Sequence, residues 1–253
     1  MRPRLPIFMF HALDGGSDVC ALAPDVFRRG LVRLAGRGFR TQDLAAATGA
    51  LSTGTEVSPR TVCLTFDDGY ASVYTDAFPA LQAQGMTATV FLTVGARDGR
   101  HERLPSLQGR EMLSWSEIRE MAAAGIAFGA HACLHRDLTR LTAREVEDEM
   151  AGSKAVIEDR LGMAVRGFAY PFGRFDASSR AIARRHFAFA CADTLGIASA
   201  SSDPWALPRV ETYYLRGRRG LALIASPWLG TYLLARRGPR AVRRAIEGPG
   251  RRV

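Results

Sequence analysis

The feature that most limits the fold is an alternation, in which short apolar runs are followed again and again by segments with helical spacing. Ile7 to Phe10 is fit for a buried strand, and Val26, Phe27, Leu31 and Leu34 then share one helical face that Gly36 ends. Thr61 to Phe66 is the next strand. Val73, Ala77, Phe78 and Leu81 form a helical stripe up to Gly85, and Thr87 to Thr93 reads as a β-branched strand. Ser114-Trp115-Ser116-Glu117 opens a helix to Ala124 like a capping box, and Ile126 to Ala130 follows as strand. Thr142, with Glu145 three residues on, starts the longest helix, to Leu161; strands are expected at Gly167 to Tyr170, Phe187 to Cys191 and Arg209 to Tyr213. This order implies right-handed βα units around a mainly parallel sheet, an α/β fold whose ligands gather at the carboxyl ends of the strands.

A chain of 253 residues, 47% hydrophobic, can bury a large core, so one catalytic domain over residues 1–215 is expected, followed by a basic, partly apolar tail, 216–253. The net charge of +9 belongs largely to that tail: ten arginines from Arg216 to Arg252 are opposed there only by Glu247. Within it, apolar Leu221 to Leu234 contains Trp228 and Tyr232 and is bracketed by arginines. That composition suits a segment lying on anionic lipid, or equally a helix packed on the domain. A nucleic-acid partner is disfavoured, because the arginines lack interleaved aromatic platforms. Cys20, Cys63, Cys133 and Cys191 form no CxxC pair and read as free thiols. No signal peptide and no run of roughly 20 apolar residues is visible. A cytoplasmic protein is expected, soluble or peripheral at the inner face of the membrane.

Asp67-Asp68-Gly69 closes the apolar strand that begins at Thr61. Adjacent carboxylates repel, and a cation would resolve that repulsion; Asp-Gly is also a common turn dipeptide, so both readings stand. His131 and His135 follow a second strand, and imidazoles four positions apart can converge on one ion, although such a pair is often incidental. A strand-end Asp would supply a third ligand and leave a position open for water, as catalytic zinc requires. Cys133, between the histidines, would face the other way and pack.

Taken together, these segments resemble the polysaccharide deacetylases, carbohydrate esterase family 4 or the NodB-homology domain. Thr65-Phe66-Asp67-Asp68-Gly69 is similar to the first family motif, His131 to His135 to the second, and Phe168-Ala169-Tyr170-Pro171-Phe172-Gly173 to a variant of the third. Phe10-His11-Ala12-Leu13 resembles the opening of a bacterial exopolysaccharide branch. The resemblance implies a distorted (β/α) barrel and a metal-dependent hydrolase that removes N-acetyl groups from a sugar, whether polysaccharide, lipid-linked glycan or glycoside. Asp68, His131 and His135 would hold one divalent metal, zinc foremost; Asp67 would be the base; Tyr170, Pro171 and Phe172 would wall the substrate groove, with the Phe172 amide donating to the oxyanion.

Two departures stand out. The arginine that often opens the third motif to orient the base is replaced by Ala169, and Arg209, in Leu207-Pro208-Arg209-Val210, could reach Asp67 instead. No histidine follows His186, so the leaving-group acid of the family's fifth motif is absent, and His11 is the substitute, as acid or substrate ligand. Ester hydrolysis needs less leaving-group protonation, so an O-deacetylase or N-deformylase is the alternative; a non-catalytic carbohydrate-binding relative would have lost a ligand or the base, and none is lost.

Overall fold

The computed structural model describes residues 4–55, 57–96, 104, 107, 109–215, 223, 226 and 228–236. In chain order its elements are β1 (Arg4–Leu5), β2 (Ile7–Phe10), β3 (Ala12–Leu13), β4 (Ala21–Leu22), α1 (Pro24–Gly36), β5 (Arg40–Thr41), α2 (Leu44–Thr53), β6 (Thr61–Phe66) and α3 (Phe78–Ala83). There follow β7 (Thr89–Leu92), α4 (Trp115–Ala123), β8 (Ala127–Ala130), α5 (Ala143–Leu161), β9 (Gly167–Ala169), α6 (Ala177–His186), β10 (Phe189–Leu195), β11 (Ala198–Ser199) and β12 (Leu207–Glu211).

Seven of these strands, β2, β6, β7, β8, β9, β10 and β12, pair in that order, all parallel, and β12 returns to β2 to close a barrel. This is the (β/α) barrel expected. Closure covers β2 and β6 on both faces, which is why every position in them is buried and apolar residues prevail rather than alternate with exposed ones. The period of two sorts them: Ile7, Cys63, Phe91, Ala169, Phe189, Cys191 and Leu207 meet in the lower barrel interior. Their neighbours Phe8, Leu64, Val90, Phe168 and Val210 pack outward against the helices.

Both capping boxes form, Ser114 with Glu117 at α4 and Thr142 with Glu145 at α5, and α5 ends on left-handed Gly162. The stripe from Val73 begins as a wide π turn, Val73–Ala77, just ahead of Pro79, whose ring cannot approach the carbonyl four residues back. Two strands shift from their expected bounds. Phe187 ends α6, its N–H donating to Ala183 O, so β10 starts at Phe189 and runs to Leu195; β12 spans Leu207–Glu211 because Thr212 opens a 3₁₀ turn.

Of the tail, residues 229–236 are helical and pack Leu229 and Leu233 into the outer core, while Trp228 and Leu234 face out. That part follows the packed-helix reading; Arg216, Arg218, Arg219 and the arginines from Arg237 onward lie outside the described residues. No helix among the described residues is long and apolar enough to cross a membrane.

Glycines let aromatic rings fill the narrow barrel. A Cβ on Gly167 would stand 2.3 Å from the Phe189 ring, and one on Gly129 would stand 2.5 Å from that of Phe91. Gly167→Ala is therefore expected to overpack the barrel and cost about 1–3 kcal/mol, read from urea unfolding; an unchanged midpoint would contradict this account of the interior.

Candidate functional site

At the upper end of β6 the Asp67 N–H donates to Phe10 O at 2.9 Å, so Asp67 keeps the strand's phase and points inward above Cys63 and Thr65. Asp68 then adopts φ 71°, a left-handed conformation that Asp tolerates better than most residues, and leaves the strand direction. Gly69 follows at φ 81°, its N–H donating to Asp67 O at 2.8 Å. The two neighbouring carboxylates are thus separated: one faces the barrel interior, the other the loop after β8.

That loop supplies the histidines. His131 continues β8 inward, and the chain then passes through left-handed Ala132 (φ 65°) and His135 (φ 51°). Each Nε2, of His131 and of His135, lies 3.3 Å from Asp68 Oδ1. Tetrahedral donors about 2.0–2.2 Å from one ion stand roughly 3.3–3.6 Å apart, so this spacing fits a shared centre. The His131 Nδ1–H donates to Ala169 O at 2.7 Å, which leaves the Nε2 lone pair turned to the centre. Burial pushes His135 down to about 4, keeping its ring neutral and able to ligate. Burial alone would raise Asp68, but the His131 hydrogen bond, foremost among its imidazole contacts, holds it well below the usual carboxylate range. Among the described residues these three form the one group of His, Cys, Asp or Glu side chains suited to an ion. Cys133 is not in it: its thiol turns toward the Asp148 carbonyl on α5.

Arg209 reaches Asp67 from β12. Its Nη1 and Nη2 donate to Asp67 Oδ1 and Oδ2, each at 2.7 Å, in a two-pronged pair. Nε donates to Ala192 O at 2.9 Å and Nη1 also to Thr65 Oγ1 at 3.2 Å, so the guanidinium, 1% exposed, is fixed on three sides. Against the upward push of burial, the Arg209 charge holds Asp67 below its ordinary value, so it is a carboxylate at neutral pH. Ala169, at the position of the expected arginine, contributes only its carbonyl, and Arg209 grips Asp67 from another strand.

His11, half-buried just after β2, lines the same cleft as Asp67, Asp68, His131, His135 and Arg209. Phe172 lines it too, at φ 57°, with its ring 4.6 Å from that of His135. Tyr170 and Pro171 do not, contrary to expectation. Tyr170 falls on the outward phase of β9 with Phe168, stacks on Phe175 and donates its hydroxyl to Trp205 O at 2.9 Å; Pro171 is buried beside it. The cleft also holds Asp193 and Glu211, which the sequence reading did not single out. Counting inward by twos from Phe189 and Cys191, and from Leu207 and Arg209, would have found both.

Arg209→Met should leave a buried anion without its cation and cost about 3–5 kcal/mol at pH 7 in the metal-free protein. Because the folded value of Asp67 is depressed, the pair's contribution is complete above the unfolded value of about 3.9 and is lost as pH falls through the folded one. In the variant, acid relieves the stranded charge. The gap in urea stability between the two proteins should therefore narrow from pH 7 to pH 4; a constant gap would contradict the pairing.

The family model "Polysaccharide deacetylase" matches residues 54–187. A relative in Bacillus subtilis (strain 168), YxkH, whose name assigns it to the same family, is 29% identical over 209 residues, covering 82% of this chain and 71% of that one. The structure of the Streptococcus pyogenes deacetylase PplD in complex with acetate superposes with a TM-score of 0.74 at 26% identity, over 83% of this chain and 92% of the other. IcaB from Ammonifex degensii superposes at 0.76 with 25% identity, over 88% and 96%. The barrel, the strand-end motifs and the matched span agree, and the chain belongs to the polysaccharide deacetylase family.

Proposed function

We propose that this carbohydrate deacetylase is a divalent-metal-dependent hydrolase that removes N-acetyl groups from a sugar, with Asp68, His131 and His135 as ligands and Asp67 as base. The observation that carries this reading is the convergence, in one cleft, of a three-donor site with a carboxylate gripped by Arg209. An ion bound there, most simply zinc for this donor set, would polarise the acetyl carbonyl and make a nearby water acidic.

Every other task falls to the chain. Asp67 accepts the proton as water attacks the acetyl carbon, and Arg209 fixes its orientation and keeps it ionised. The Phe172 amide donates to the developing oxyanion. As the C–N bond breaks, His11 donates a proton to the departing sugar nitrogen, giving the amine and acetate. That acetate is the small product expected at such a site agrees with PplD, which was solved with acetate. A proton donor at His11 favours an amide over an ester, since an amine departs poorly without protonation.

Asp67→Asn should lower acetate release from N-acetylated sugars by ~10²–10⁴-fold with bound metal unchanged. His11→Ala should lower turnover on the same panel while sparing metal content and O-acetyl ester cleavage; equal loss on both substrate types would remove its assignment as acid. Chelation should abolish release and zinc should restore it, and a purified protein that is active without any divalent metal would end the metal reading.

A further inference from the structure

The loop that presents both histidines to the candidate centre is held by a side chain outside it. Glu149, 4% exposed on the inner face of α5, accepts the N–H of Cys133 and of Leu134 on one carboxylate oxygen, Oε2, each at 2.8 Å. Those two residues are the apex between His131 and His135, and left-handed Ala132 and His135 flank them. Its other oxygen lies 4.0 Å from the guanidinium of Arg136, the residue after His135. On the opposite side the Gly95 N–H donates to Cys133 O at 2.8 Å, and a Cβ at Gly95 would stand 2.6 Å from that oxygen. On the helix side, a Cβ at Gly152 would stand 3.1 Å from the Cys133 thiol. The loop is thus pressed between the segment after β7 and α5, with glycine where each approach is closest.

We propose that Glu149 is a positioning residue for the metal centre: by accepting both apex amides it fixes the backbone turn that aims His131 Nε2 and His135 Nε2 at one point. A turn with two left-handed non-glycine residues is disfavoured by its own sterics, so something must hold it. The buried Glu149 carboxylate and two part-buried amides would each be costly left unpaired, and a carboxylate is the stronger acceptor for paired N–H groups. Of the two histidines, only His131 has its far nitrogen anchored by a hydrogen bond among the described residues; His135 Nδ1 has none. With no such anchor, the aim of His135 rests on the Phe172 ring against it and on the loop backbone that Glu149 holds. This inference rests on the metal-site reading above.

The test compares wild type, Glu149→Gln and Glu149→Met as full-length protein, titrated with Co(II) after metal removal. Glutamine keeps a carbonyl oxygen for the two amides and should bind Co(II) like wild type with the same visible spectrum. Methionine keeps the length and bulk but accepts nothing; it should weaken Co(II) binding by ~10–100-fold and alter the spectrum, with kcat falling more than KM shifts. Equal affinity and spectrum in all three would overturn the role of Glu149 alone. A wild type that takes up no Co(II) would instead overturn the metal site itself. Should the methionine variant not fold, hydrogen exchange at the Cys133 and Leu134 amides decides. Protection in wild type and in the glutamine variant is expected, and exchange at the rate of open-loop amides would refute the proposal.

Discussion

The buried pair between Arg209 and Asp67 is the interaction on which the upper barrel depends. A guanidinium 1% exposed in a barrel interior is tolerable only with its donors satisfied, and here they engage β6 through Asp67 and Thr65 and β10 through Ala192. Its flat face lies 5.9 Å from the Phe91 ring on β7, so one side chain from the last strand touches three others. The pair also divides the interior by chemistry. Below it, aromatic rings and thiols fill the space between glycines; above it stand carboxylates and imidazoles that would be untenable without a compensating charge. A neutral residue at position 209 would leave that upper layer with an excess of negative charge.

Much of this was legible in the chain because it is local. Asp67-Asp68-Gly69 and His131 to His135 are contiguous, and each follows a strand whose apolar run marks where the barrel rim must be. The capping boxes at Ser114 and Thr142 are also local, needing only residues three apart. Arg209 was legible only as one of two readings, since its partner lies 142 positions away and nothing in the nearby sequence names it. Glu149 was invisible for the same reason: a single acid on a helix otherwise rich in acids, distinguished only by facing inward.

Around the cleft, expectation and structure part over one thing, the phase of side chains across a strand. Tyr170 sits in a motif that suggested a groove wall, yet its even position aligns it with Phe168 on the helix side, where the hydroxyl finds Trp205. Asp193 and Glu211 sit on the inward phase and reach the cleft. Helix α2 escaped notice because Leu44–Thr53 is built of small residues with little amphipathic contrast; its visible mark was Asp43, whose side chain caps the Ala46 amide at 2.9 Å.

The pairing of β2 with both β6 and β12 has a consequence in time as well as in space. His11 enters well before Arg209 as the chain is made, and the two reach one rim only when β12 docks beside β2. Until then a nascent chain carries Asp67 without its cation and a sheet with two open edges. Contacts that span some two hundred residues form late and slowly, so the cleft gathers its last side chains in the same step in which the barrel becomes topologically closed.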